Sequence, residues 1–345
     1  MSTTIRLALI VAVLLFAGCQ SKQPLYQQQG YVFGTLVEVS VYGEPEPHAR
    51  LAVSRVMHEF QRLHDSLHAW QPSELSEMNT AFAKGKSAAV SPELASILED
   101  AAQLSQQSQG LFNPAIGGLV KLWGFHADEF KPVHPDKKAI ERLVAANPQM
   151  SDITITRGMA HSSNRYVQVD LGGYAKGYAL DRAADILHKL GIRNALINIG
   201  GNIMALGQHG DRPWRVGIQD PRKPGPLAIL DLHDGEAIGT SGDYQRYFMI
   251  GDERYCHLID PRNGYPKQGV EEVTVLTRGA RAGVLSDADS KPLFISGATA
   301  WRAAATEMGI TEAMLVDGQG KIHITAAMRK RLEFTDKSIH PEVEQ

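Results

Sequence analysis

Cysteine is nearly absent from this chain. Its 345 residues include two, Cys19 and Cys256, which excludes zinc and iron–sulfur centres built on clustered thiolates. An excess of one charge is also lacking. The 35 Lys and Arg against 38 Asp and Glu leave a net charge of −3, so there is no basic footprint and nucleic acid is not an expected partner. No internal repeat of fixed period is present, which removes solenoids and propellers. The apolar run near the start, Leu7 to Phe16, falls short of the roughly 20 residues that a membrane-spanning helix needs.

What that run does resemble is an export signal. A short charged segment, the apolar stretch and then Ala17-Gly18-Cys19 read as a lipoprotein signal over residues 1–18. Phe16 stands where Leu is usual. An uncleaved anchor helix is the alternative, and both readings put the remainder outside the cytoplasm. The mature chain is then expected to begin at a lipidated Cys19 on the periplasmic face of a membrane, inner or outer unspecified. A polar tether over residues 19–30 would lead into a folded body over 31–325. With Cys19 lipidated, Cys256 has no disulfide partner. The segment 326–345 is charged and poor in apolar residues, and is expected to fray outside the site.

Periodicity places the elements of the body. Alternation of Val37, Val39 and Val41 predicts a strand over 31–42, opened by Phe33-Gly34-Thr35. Val53, Val56, Met57, Phe60, Leu63 and Leu67 recur at helical spacing across 47–67. Ser91-Pro92-Glu93 supplies a cap and a first-turn proline for a helix to about Ser108. A shorter helix is expected over 137–146, and strands over 153–156 and 166–169. A helix over 174–190 ends at Gly191, and strand pattern follows around Gly200-Gly201. Short strands continue to Thr277, then a helix over 299–308 and a hairpin at Asp317-Gly318. Strands and helices interleave without a regular βαβ rhythm, which predicts a mixed α+β fold.

Chemistry concentrates in two stretches, Thr240-Ser-Gly-Asp-Tyr-Gln-Arg246 and His257-Leu-Ile-Asp-Pro-Arg-Asn-Gly-Tyr-Pro266. Hydroxyls, carboxylates, arginines, a tyrosine and a histidine are set there among turn-forming residues. Such density points to a polar, phosphorylated ligand and a proton transfer. A lone histidine beside a strand is most often a surface or satisfied core residue. Yet His257 has a nearby carboxylate, Asp260, to orient it, and an ordinary pKa near ~6.5 suits general-base work. Cys256 is its neighbour, but adjacent strand residues face opposite ways, so no thiol–imidazole pair is expected. Asp170-Leu-Gly-Gly-Tyr-Ala-Lys-Gly-Tyr-Ala-Leu-Asp181 joins a strand to a helix. Its glycines admit a ligand to the backbone, the helix N-terminus offers N–H groups, and Lys176 adds charge. The spacing fits neither a P-loop nor a dinucleotide fingerprint. On pattern alone, a tight turn and a phosphate site are equally open.

Taken together these segments resemble the ApbE family of FAD:protein FMN transferases. The TSG-x-Y-x-R and H-x-IDP segments, the D-x-GG-x-AKG-x-x-x-D run and Ser73-Glu-Leu-Ser-Glu-Met-Asn79 behind Trp70 all have counterparts there. So do Phe33-Gly34-Thr35, with Phe for Met, and Leu111-Phe112-Asn113-Pro114 leading to Leu122-Trp123-Gly124, with Asn113 for Asp. The resemblance runs from about residue 31 to about 325. It implies an ApbE-like, T-fold-related architecture and FAD as substrate. Around FAD it places Phe33, Trp70, Leu111, Phe112, Asn113, Asp170, Lys176 and His257, with His257 as the base. The acceptor it implies is a threonine of an exported redox protein.

The resemblance also implies a magnesium site, from a backbone carbonyl near Gly173 and from Asp287 with a Thr four residues on. Here that residue is Lys291, followed by Pro292. A protonated ammonium cannot ligate a metal, and Pro292 disfavours helix at Lys291. Asp289 is a possible substitute ligand. Alternatively Lys291 pairs with Asp287 and stands in for the cation, or the metal site is lost. Asn263 replaces the family Thr of the IDP-x-TG segment. The readings that follow are a transferase, an FAD-binding protein without transfer, and a diphosphatase releasing FMN and AMP.

Overall fold

The computed structural model describes residues 24–127 and 129–344. The export signal, Cys19 and the first tether residues lie outside the described residues. The fold is mixed α+β, as expected, around a nine-stranded sheet whose spatial order follows chain order. Its strands are Leu25–Val32, Thr35–Tyr42, Ala195–Ile199, Asn202–Leu206, Glu236–Gly242, Val270–Arg278, Ala313–Asp317, Ile322–Thr325 and Glu342–Glu344. Neighbours pair antiparallel except the last two, which are parallel. Among the described residues no helix is long and apolar enough to cross a membrane.

Helix Glu46–Leu67 covers one face of the sheet because its apolar residues fall every third or fourth position. Ala49, Ala52, Val53, Val56, Phe60, Leu63 and Leu67 are all buried, in one cluster with Val37, Val39 and Val41. Each large side chain buried there contributes about 1.5–3 kcal/mol. The three-stranded sheet of Trp214–Gln219, Pro226–Leu232 and Glu333–Phe334 forms a second cluster against the opposite face of the large sheet, where Ile203, Ala205 and Ile238 alternate with residues of the first cluster.

Several boundaries differ from the sequence reading. The polar stretch expected as tether is strand from Leu25 onward, since pairing with Thr35–Tyr42 uses backbone groups that glutamines possess as well as valines do. The expected single strand over 31–42 is therefore a hairpin arm, turning at Phe33 and Gly34, both at positive φ. The 166–169 strand is reduced to one bridge, Ile116 with Gln168. The tail is not wholly frayed: Ala326–Arg329 is helical, and Glu333–Phe334 and Glu342–Glu344 pair with other strands.

The largest difference is helix Ala282–Ser296, which carries Pro292 in its interior. It is buried on nearly every side, so it shows no amphipathic stripe to read. Tertiary packing outweighs the roughly 3 kcal/mol that an interior proline costs. Gly177 and Gly283 let this helix cross helix Ala175–Lys189 backbone against backbone. A Cβ on Gly177 would lie 2.3 Å from the Gly283 carbonyl oxygen, and one on Gly283 2.4 Å from that of Gly177. Asp181 fixes the crossing by accepting the N–H groups of Gly283 (2.8 Å) and Val284 (2.9 Å) at the helix start. Burial pushes its carboxyl up to about 6, against those bonds and Arg281.

Candidate functional site

The site forms where the helix crossing meets the loops that follow Trp70 and Trp123. Asn79, on the capping-box helix Glu74–Ala83, holds both backbone groups of Val169 through its buried amide, at 2.8 and 2.9 Å. Pro114 accepts the N–H of the next residue, Asp170, at 2.8 Å. Asp170 is thereby fixed, and its carboxylate accepts from Trp70 Nε1 at 3.0 Å and from the Gly172 N–H at 2.8 Å. The Trp70 backbone N–H donates to His68 Nδ1, and the rings of His68, His64 and Phe33 follow edge to face at 5.1 and 5.8 Å. On its other side Trp70 lies 5.4 Å from the His126 ring.

Residues 125 and 126 connect this aromatic wall to the polar segments. Phe125 accepts from Arg246 Nη2 at 3.1 Å and sits edge-on to His257 at 6.5 Å. Trp123 donates to the Gly264 carbonyl at 2.8 Å and stacks on Phe248 and Tyr255. This fastens the Leu122-Trp123-Gly124 segment to the turn after Asp260. Phe112 is buried, and its ring lies 3.7 Å from where a Gly173 Cβ would stand.

Among the described residues, His257 Nδ1 has no hydrogen-bond partner, and it is buried. Burial holds the imidazole well below 6.5, and the positive charges of Arg246, Lys176 and Lys291 push it further down. It is neutral at physiological pH, able to accept a proton. The expected orientation by Asp260 is not found. That carboxylate is committed to Arg262, through its backbone N–H, Nε (2.9 Å) and Nη2 (2.6 Å), because Arg262 lies in the same tight turn. Cys256 is buried and directed elsewhere, towards the carbonyls of Leu258 and Lys267.

Opposite His257, the helix crossing buries Asp287 completely. One carboxylate oxygen accepts the Gly177 N–H at 2.9 Å, a free donor of that helix's first turn. The other is bonded by Lys291, whose ammonium also reaches the Asp287 carbonyl at 2.6 Å and Ser290 Oγ at 3.4 Å. Lys176 stands 3.9 Å from the same carboxylate and donates to Gly172 O at 3.1 Å. Burial alone would raise the Asp287 carboxyl, but Lys176, Lys291 and the Gly177 N–H hold it at about 2. Ser241, of the Thr240-Ser241-Gly242 segment, braces the helix through Ser290 at 2.7 Å.

This donor set does not suit a divalent ion. Both oxygens of Asp287 are occupied, and the space beside Gly173 is filled by Lys291, whose Cε lies 3.2 Å from the Gly173 Cβ position. A doubly charged ion about 4 Å from the ammonium would be repelled by about 8 kcal/mol at an effective dielectric of 20. Asp289 offers no substitute. Two residues on along a helix is the far side from Asp287, and burial pushes its carboxyl up to about 7. Asn113 is also not free for a ligand, since its buried amide binds Pro148 O (2.9 Å) and the Ala115 N–H (3.0 Å). Leu111 is partly buried and packs against the cluster that contains Phe294 and Trp301.

The structure thus brings Trp70, Asp170, Phe112, Lys176, His257, Asp287 and Lys291 together, and links Phe33 to them through His64 and His68. Asn79 and Arg246 belong to the site although sequence reasoning gave neither a role; each closes a recognised motif. His126 carried no sequence signal.

The site sets a buried imidazole, acted on by three cations, beside an aromatic wall in a mixed α+β fold. The ApbE family model matches residues 33–315, and the chain belongs to the ApbE family. A relative named FAD:protein FMN transferase from Rhodobacter capsulatus is 43% identical over 333 residues, 96% of this chain. The chain spans 63% of that relative's length. Another of that name, from Treponema pallidum (strain Nichols), is 29% identical over 352 residues, 96% of each chain. Among solved structures, the ApbE protein of Thermotoga maritima superposes with a TM-score of 0.81 at 27% identity, covering 89% of this chain and 99% of that one. The flavin transferase ApbE of Vibrio cholerae does so at 0.76 and 25%, covering 90% and 99%.

Proposed function

We propose that this protein transfers FMN from FAD to a threonine hydroxyl of an exported redox protein. The observation that carries the reading is His257, a buried neutral imidazole with an open Nδ1, facing Lys176, Lys291 and Arg246. The family relatives named FAD:protein FMN transferase support it. The aromatic wall of Trp70 and Phe112 suits the ring systems of FAD, and the cations suit its diphosphate.

In this reading the threonine oxygen attacks the phosphorus that carries the riboflavin. The bond from that phosphorus to the bridging oxygen breaks, AMP leaves with that oxygen, and His257 takes the hydroxyl proton. Lys176, Lys291 and Arg246 stabilise the charge on the phosphoryl oxygens. The resemblance implies magnesium at Gly173 and Asp287, and the donor set around Lys291 speaks against it, so no step is routed through a metal. Incubation with FAD and a threonine-containing acceptor, with intact-mass measurement of the acceptor, tests the proposal. A mass gain equal to one FMN residue supports it. Free FMN and AMP with an unmodified acceptor mean hydrolysis, and neither product means binding alone.

The site of action we propose is the periplasmic face of a membrane, with the chain held by lipid on Cys19. The Ala17-Gly18-Cys19 segment after the apolar run Leu7 to Phe16 supports this. Cys19→Ser should release the protein from membranes without detergent. A wild-type protein that is already soluble, with Cys19 unmodified, overturns the assignment.

A further inference from the structure

The Lys291 ammonium lies in the gap between the Asp287 carboxylate and the Gly172–Gly173 turn. Three features show that it is built in rather than placed by chance. It is held on three oxygen atoms at once, from the Asp287 side chain, the Asp287 carbonyl and Ser290. Its side chain is only 14% exposed, so no wide range of alternative positions is open to it. Its partners are themselves braced, Asp287 by Gly177 N–H and Ser290 by Ser241 on the neighbouring strand.

The charge balance points outward. Among the described residues Asp287 is the one carboxylate in contact with Lys176 and Lys291, and Arg246 binds a carbonyl rather than a carboxylate. Lys176, Lys291 and Arg246 all act on the unpartnered His257. Two of these three cations share a single carboxylate, so positive charge is in excess around a buried polar atom that has no partner among the described residues. Such a surplus is stable when an anion with several oxygens completes it.

We infer that Lys291 is a tethered substitute for the divalent cation, so that this protein binds the diphosphate of FAD without a metal. The inference rests on the FAD reading above but is tested separately from it. The ammonium acts on phosphoryl oxygens through its charge, which chelation does not remove, and an N–H for one of them becomes available when the long 3.4 Å contact with Ser290 is exchanged. It also keeps the Asp287 carboxylate occupied, which is why the site has no vacancy for an ion. Lys176 is the second, more exposed cation on the same carboxylate, at 25% exposure, and donates to the Gly172 carbonyl.

The test uses the full-length wild-type protein and measures two things. Mn2+ binding is followed by electron paramagnetic resonance in the absence of FAD. FAD affinity is followed by flavin fluorescence in EDTA and in excess Mg2+. The expected wild type binds no Mn2+, and its FAD affinity differs between the two conditions by less than about threefold. Lys291→Thr should lose about tenfold or more in affinity in EDTA, regain it with Mg2+, and acquire one Mn2+ site. Lys291→Arg, which keeps the charge, should stay indifferent to chelator. If Lys291→Thr does not fold by circular dichroism, the wild type and Lys291→Arg still decide. Stoichiometric Mn2+ binding by wild type, displaced by Mg2+, overturns the inference. So does an FAD affinity that falls tenfold in EDTA. Failure to bind FAD under either condition overturns the FAD reading instead, and the Mn2+ measurement still judges Lys291.

Discussion

Trp70 donates its indole N–H to Asp170 over 3.0 Å, across one hundred residues of chain. The bond joins an aromatic plate to the glycine turn that precedes helix Ala175–Lys189, and Asn79 secures the turn from behind through Val169. Plate, carboxylate and helix N-terminus thus behave as one preorganised unit, so a ligand meets little ordering cost there.

Removing that bond while keeping a ring should weaken FAD binding. Trp70→Phe is expected to lose about tenfold in affinity, the worth of a hydrogen bond to a charged group. Trp70→Ala should lose about tenfold more, because the ring contact goes too. Fluorescence titration with FAD checks both, and equal affinities for Phe and Ala would mean that only the ring matters.

His257→Ala should keep FAD affinity and lose transfer by about 100-fold or more, the scale of a general base. Because burial and the surrounding cations hold the folded imidazole well below 6.5, wild-type kcat/KM should not decline as pH falls through neutrality to 6.5. The same shift has a stability sign. Below 6.5 the unfolded state takes up a proton that the folded state refuses, so stability falls with falling pH. His257→Gln should flatten that fall in urea titrations. Unchanged transfer in His257→Ala would assign the proton to another group.

Gly177→Ala should destabilise the fold by about 1–3 kcal/mol, an overpacking cost. The added methyl meets the Gly283 carbonyl oxygen at 2.3 Å, and backbone cannot give way as a side-chain tip can. Thermal melts would show this, with loss of FAD binding as Asp287 is displaced from the Gly177 N–H. A melting point equal to wild type would mean that the helices separate freely.

Glu272 gives a prediction of opposite pH sign. Burial pushes its carboxyl from 4.5 up to about 8, against hydrogen bonds from Thr274 and Tyr244. Between those values the folded state holds a proton that the unfolded state releases, so stability drops as pH rises. Glu272→Gln, neutral at every pH, should therefore raise the melting point at pH 8 more than at pH 5. An equal effect at both values would show that Glu272 is ionised in the fold.

Local chemistry made much of the molecule legible. Ser91 caps helix Pro92–Gln107, the 137–146 pattern is helix Lys137–Ala146, and Asp317-Gly318 lies at the hairpin turn. Caps, turns and apolar spacing act within a few residues, so they can be read in order along the chain. The i,i+4 pairing of Asp287 with Lys291 is of that kind. What lay outside such reading is helix Ala282–Ser296, since an element buried on all sides has no stripe and its proline argues against it. Asn113 and Asp260 show the complementary limit. Each has the composition of a ligand-binding or orienting group, and the fold occupies each with a neighbour.

The sequence by itself determined which groups this protein possesses, its element types and its kinship, because propensity, capping and motif order are properties of short segments. Only the tertiary structure decided that Lys176, Lys291 and Arg246 converge on His257 and that Asp287 is enclosed. Those relations depend on two glycines allowing helices far apart in sequence to touch. Such a contact is set by long-range packing, which leaves no periodic trace in the chain.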